Sequence, residues 1–259
     1  MNCKSIILLI VVLLFWGNAE ARKKKGKKVE EVQTESAYRK FFKGKACETA
    51  KGMITLHKMD GRVYFEIPLA LMGREMLMGS TISEITNNGF GSVGEKPKGL
   101  LYISFVRCDS VISLKQLTAQ YDTNEENLKQ RIKESTIPAT IKNFKITTYN
   151  EDSTAVVIDM TDYLVSADEA IDPFSPWAPI LAGGERVMEK EFRRENSQVV
   201  SIKAFEDNVS VKSSLTYGLS LKNKVMYIFQ REPFTAVMTR SFILLPEHPM
   251  RPLSTTIPI

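Results

Sequence analysis

Histidine and cysteine are scarce in this chain, and that scarcity excludes a good deal of chemistry. There are only two histidines, His57 and His248, and three cysteines in 259 residues. A catalytic zinc ion usually needs three protein ligands, most often His, with Glu, Asp or Cys. The sequence has no HExxH pair and no other set that takes its place. It is not a disulfide-stapled miniprotein, because those scaffolds are dense in cysteine. A membrane-spanning helix needs about 20 consecutive apolar residues. The longest apolar run here, Ile6–Trp16, has eleven.

That run has the length of a signal-peptide core. Lys4 precedes it and Ala19-Glu20-Ala21 closes it, so residues 1–21 are expected to be a signal cleaved after Ala21. One feature favours the alternative, a short uncleaved anchor. The basic run Arg22–Lys28 follows the apolar core, the reverse of the usual charge bias. No Cys follows the core, which argues against a lipid anchor. The chain is therefore expected to be exported: periplasmic, outer-membrane-associated or extracellular.

Residues 22–37 are polar and charged and read as a basic, disordered leader. Six positive charges lie in 22–28, so removing residues 1–28 takes the net charge from +5 to about −1. The pI of about 9.0 belongs to the leader and not to a folded surface. Nucleic-acid binding by the body is not expected, since that needs clustered positive charge. The leader itself suits contact with anionic envelope surfaces.

From Gly52 onward the texture is β. Met53–His57 and Arg62–Ile67 flank Asp60-Gly61, a strong hairpin signal. Leu69–Gly73 reads as one helical turn, with Tyr38–Lys51 as a short helix before it. Met76–Ile85, Leu100–Val106 and Cys108–Leu117 read as strands. Ile141–Tyr149 and Thr154–Met160 read as a hairpin across Asn150–Ser153. Thr123-Asn124-Glu125-Glu126 is a capping box for a helix with Leu128 and Ile132 on one face. Residues 209–220 alternate apolar and polar with a period of two. Together with Val199–Phe205, Val225–Gln230 and Thr235–Leu245 they predict an antiparallel meander. The fold class is mainly β, α+β at most, with antiparallel meander sheets and a few short helices. Residues 38–97 are expected to form a small N-terminal β module and 98–252 a larger one. A Pro- and Gly-rich connection near 172–184 falls inside the second, and 253–259 is a divergent tail.

Few residues invite a chemical reading. Cys47 and Cys108 remain after signal removal and are a possible disulfide; bridging so long a loop would contribute ~4 kcal/mol. Two separate buried thiols are the default, and neither has a His at an informative spacing for nucleophilic chemistry. His57 beside a turn reads as a surface or core histidine, and His248 between prolines as a loop residue. Gly89–Gly94 matches GxGxxG, but Pro97 and Gly99 follow it where a phosphate-binding motif needs a helix. Asp159, Asp162, Asp168, Glu169 and Asp172 suit turn and helix capping better than paired acid–base work. Asn208-Val209-Ser210 is a glycosylation sequon on a turn. Trp177, between Pro176 and Pro179, reads as a core plug or as a surface contact for a partner.

Several ordered segments resemble the N-terminal half of large secreted bacterial zinc-dependent metalloproteases. They are the lysine-rich leader, Lys51–Lys58, Tyr64–Pro68, Leu71–Leu77, Val156–Tyr163, Val200–Val209 and Leu244–Pro252. In that family two domains of uncharacterised role precede a zincin domain, whose HExxHxxGxxH helix binds zinc and whose Glu activates the bound water. Leu253–Ile259 departs from the family's pattern, and no catalytic-motif residue has a counterpart in this sequence. The resemblance implies a truncated or split member holding the non-catalytic β-rich part, without peptidase activity. The zinc would belong to the missing catalytic domain, and a protease domain in cis or in trans would be the partner. A stand-alone exported peptide- or glycan-binding protein is the alternative.

Overall fold

Asp60 and Gly61 both take left-handed backbone conformations, φ 52° and 72°, as a two-residue hairpin turn requires. The computed structural model describes residues 35–118, 125–175, 188–221 and 232–247. Its first elements are α1 (Ala37–Phe42), β1 (Cys47–Ala50), β2 (Thr55–Met59), β3 (Arg62–Pro68) and β4 (Glu75–Ile85). Next come β5 (Leu101–Cys108), β6 (Val111–Gln116), α2 (Glu126–Ser135), β7 (Ala139–Tyr149), β8 (Ala155–Asp159) and α3 (Thr161–Leu164). The chain continues through β9 (Met188–Phe192), β10 (Gln198–Ala204), β11 (Asn208–Leu221) and β12 (Glu232–Leu244). Among the described residues no helix is long and apolar enough to cross a membrane.

The Asp60-Gly61 turn places Met59 opposite Arg62 and His57 opposite Tyr64. Every strand pair is antiparallel, in the order β1-β2-β3-β8-β7-β6-β5-β4-β12-β11-β10, with β9 also against β11. β7 turns the corner of this sheet. Its first half pairs with β6 and its last residues with β8, and a register irregularity falls between Ile146 and Thr148. The two ends of the strand order then meet. The Met53 N–H donates to Phe205 O at 2.7 Å and Lys58 Nζ donates to Val200 O at 2.6 Å, so the sheet curls round on itself.

Alternation dictates what lies inside. Leu215, Tyr217 and Leu219 of β11 and Phe234, Ala236, Met238 and Phe242 of β12 are buried and join Phe65, Phe105 and Ile158 in one apolar cluster. The interior is filled further by a plug, α3 and the chain after it. Tyr163, Leu164, Val165, Ile171 and Phe174 are buried there, with the Phe174 ring 5.0 Å from Tyr217 and 5.3 Å from Phe234. A second, smaller cluster lies on the outer face, where Tyr38, Phe41 and Phe42 of α1 cover Met59, Tyr64 and Val157. This cover is why β3 is buried on both faces.

The mainly β class, with short helices, is as the sequence indicates. Strand pairing runs across the 97/98 division. β4 pairs with both β5 and β12, β3 pairs with β8, and the chain from Ser36 on forms one compact unit. Long-range antiparallel pairing interleaves the two stretches, which a linear composition scan does not register. Thr123, Asn124 and Val225–Gln230 lie outside the described residues, and Leu128 of α2 is exposed.

Candidate functional site

Three neighbouring strands bring polar groups to the patch under α1. Thr49 of β1 stands opposite His57 of β2, and Cys47 opposite Met59. Residues two apart on a strand share a face, so Cys47, Thr49, His57, Tyr64 and Glu66 project to the same side. His57 Nε2 lies 2.9 Å from Glu66 Oε2, and that oxygen also accepts the Tyr38 hydroxyl at 2.7 Å. On the other side of the ring, Nδ1 lies 3.0 Å from Thr49 Oγ1 and 3.9 Å from Cys47 Sγ. The Phe42 ring sits 4.7 Å from the imidazole, which is only 5% exposed.

An ionised carboxylate can only accept, so Nε2 carries the proton toward Glu66, and in the neutral ring Nδ1 then presents its lone pair to Thr49 and Cys47. The hydrogen bond from His57, and then that from Tyr38, hold the Glu66 carboxyl below its ordinary range against the opposing effect of burial. Burial, and then the Glu66 hydrogen bond, push the Tyr38 phenol up. The arrangement is a base oriented by a carboxylate and facing a hydroxyl and a thiol, the parts needed to activate a nucleophile. Beside it opens a hollow of about 450 Å³ lined by Cys47, Glu48, Lys58 and Asp60 among others.

A second polar group lies inside the sheet. Arg240, on the inward face of β12, is fully buried and donates to Ser213 Oγ and, at 3.0 Å, to Ile171 O. Ser213 in turn donates to Leu164 O at 2.9 Å. Burial pushes the Arg240 guanidinium down to about 10. Its Nε and the hydroxyls of Tyr163 and Tyr217 are buried without hydrogen-bond partners among the described residues. Asp172 accepts from Phe174 N and pairs with Lys98 Nζ at 3.1 Å and Lys190 Nζ at 3.0 Å. Burial raises its carboxyl, and the two lysines oppose that rise. These contacts tie the plug to the wall.

Cys47 and Cys108 do not pair. Both thiols are free and partly exposed, because β1 and β5 stand at the first and seventh places of the strand order. Cys108 has Ser113 Oγ at 3.5 Å, whereas Cys47 does have a histidine beside it, one that strand pairing and not sequence spacing supplies. Trp177 and His248 lie outside the described residues. Asp159 and Asp168 accept the backbone N–H groups of Thr161 and Ala170, at 2.9 and 3.0 Å. In the glycine-rich stretch Gly94 N–H donates to Ile82 O, and Ile82 N–H to Glu95 O, before the chain enters β5 and not a helix. Among the described residues no three His, Cys, Asp or Glu side chains are grouped to hold a metal.

Tyr38, Thr49 and Glu66 were not singled out in the sequence. The two-residue turn was the signal for Glu66, since it sets His57 opposite Tyr64 and Glu66 one step along the same face.

A family model described as "Domain of unknown function (DUF5117)" matches residues 95–253, and one described as "Domain of unknown function (DUF5118)" matches residues 35–85. No curated protein and no solved structure matches the chain.

Proposed function

The chain belongs to the DUF5117 family, whose model spans residues 95–253, and from the resemblance of its ordered segments to the protease N-terminal region we propose a role for it as the non-catalytic β-rich module of an exported zinc-metalloprotease-like protein. It acts by packing against a protease domain supplied in cis or in trans, and performs no hydrolysis itself. The observation that carries this reading is that the segments resembling the protease N-terminal region are bonded to one another in space. Met53 donates to Phe205, Lys58 to Val200, and Leu245 to Glu75 at 3.0 Å. Arg74 reaches Glu247 at 2.6 Å, and Tyr64–Ile67 pairs with Val156–Asp159. Stretches up to about 170 residues apart are thus bonded to one another, which supports reading them as a single module and not as scattered similarity.

The test is association. The chain from residue 22 on, titrated with a separately produced zincin domain of the resembled proteases, should form a one-to-one complex in sedimentation velocity. Independent sedimentation of the two at tens of micromolar would overturn the docking role.

A further inference from the structure

We propose that Cys47 is an activated thiol, a site of covalent modification by low-molecular-weight disulfides, with His57 as its base and Glu66 as the positioning residue. Reactivity of a cysteine depends on forming the thiolate, and an adjacent base supplies it. Cys47 Sγ lies 3.9 Å from His57 Nδ1, and with Nε2–H held by Glu66 at 2.9 Å the neutral ring presents its Nδ1 lone pair to the thiol. Cys47 is partly exposed and lines the hollow with Glu48 and Lys58, so a small disulfide can approach it from solvent. Lys58 Nζ, 3.7 Å from Glu48 Oε2, places a cation at that hollow. Cys108 is the internal comparison: it is also free and partly exposed, but its side-chain neighbour is Ser113 and not an imidazole.

The step is thiol–disulfide exchange. His57 Nδ1 takes the proton from the Cys47 S–H, and the thiolate attacks one sulfur of the small disulfide. One S–S bond forms as another breaks, and the departing thiolate leaves with the displaced electron pair and is protonated in solvent. The incoming disulfide is the only oxidant required, and exported proteins meet oxidising surroundings in which such compounds persist. Thr49 Oγ1, at 3.0 Å from the same Nδ1, competes for the lone pair. This competition supplies a test that a purely structural role would not pass.

The probe is dithionitrobenzoate, whose released aryl thiolate is coloured, with peptide mapping to locate the adduct. In the Cys108→Ser chain, exchange at Cys47 should be at least about 10-fold faster at neutral pH than exchange at Cys108 in the Cys47→Ser chain, within the range general-base assistance supplies. In concentrated urea the two rates should converge. Adding His57→Gln should bring the Cys47 rate down to that of Cys108, and adding Glu66→Gln should lower it several-fold. Thr49→Val, nearly isosteric, should raise it, since the lone pair is then left to Cys47. Equal native rates at the two cysteines would overturn the proposal. So would a Thr49→Val chain that folds but reacts no faster. Should His57→Gln fail to fold, the native-to-urea rate ratio and Thr49→Val decide the matter.

Discussion

Substituting Gly52 by Ala should unfasten the seam where the curled sheet meets itself. A Cβ at position 52 would stand 2.6 Å from Phe205 N and 2.9 Å from the carbonyl carbon of Ala204, and closer still to Phe205 O. All three are backbone atoms, so no side chain can swing aside; the β2 and β10 ends must move apart. Forced overpacking costs ~1–3 kcal/mol. Displacement also stretches the 2.7 Å bond from Met53 N to Phe205 O, whose loss costs ~1 kcal/mol. Together these give ~2–4 kcal/mol, a fall in Tm of roughly 4–16 °C for a unit of this size. Gly99→Ala is the control, because its Cβ meets nothing within 4 Å, and it should shift stability by no more than ~0.5 kcal/mol. Thermal and urea denaturation followed by circular dichroism measure both. If Gly52→Ala melts with the wild type, the ends do not meet as described and the closed sheet is refuted.

Three further outcomes follow from the same packing. Phe174→Ala, which empties the plug between Tyr217 and Phe234, should cost ~3–5 kcal/mol by urea denaturation. Glu66 has a folded pKa below its ordinary value of 4.5, chiefly through His57. Its contribution is therefore fully present above about pH 4.5 and lost as pH falls through the lower folded value, and Glu66→Gln should flatten the acid limb of stability against pH. At the alkaline end, burial pushes Tyr102 up to about 12 and Tyr38, Tyr163 and Tyr217 higher still. Native protein thus holds protons the unfolded chain gives up near pH 10, and stability falls as pH rises beyond that point. Tyrosinate absorbance for these residues should rise together with loss of far-UV signal; full ionisation near pH 10 with the fold intact would contradict it.

Local pattern made much of the wall legible. Alternation through 209–220 and the Asp60-Gly61 step each identify a strand or turn from adjacent residues, and the structure has β11 and the β2–β3 hairpin there. β9 escaped because Met188–Phe192 reads Met-Glu-Lys-Glu-Phe, with charge through its middle; pairing with β11 makes it a strand, and its own propensity does not. The polar interior was half legible. In β12, Phe234, Ala236, Met238 and Phe242 share one phase of the alternation, and Arg240 falls in that phase, so a cation facing the core was readable from the strand alone. Its neighbours were not, because Ser213 and Ile171 reach it only through the tertiary fold. The same holds for the site. Tyr38, Cys47, Thr49, His57 and Glu66 come from one helix and three strands, and spacing along the chain carries no trace of β1 folding back on β2.

The most direct measurement is peptide hydrolysis with metal content determined on the same sample. The chain from residue 22 on, incubated with casein with and without a chelator, should release no chelator-sensitive fragments, and elemental analysis should find well under one zinc per chain. Chelator-sensitive cleavage accompanied by one zinc per chain would mean that this polypeptide builds a catalytic centre of its own, and the non-catalytic role would have to be abandoned.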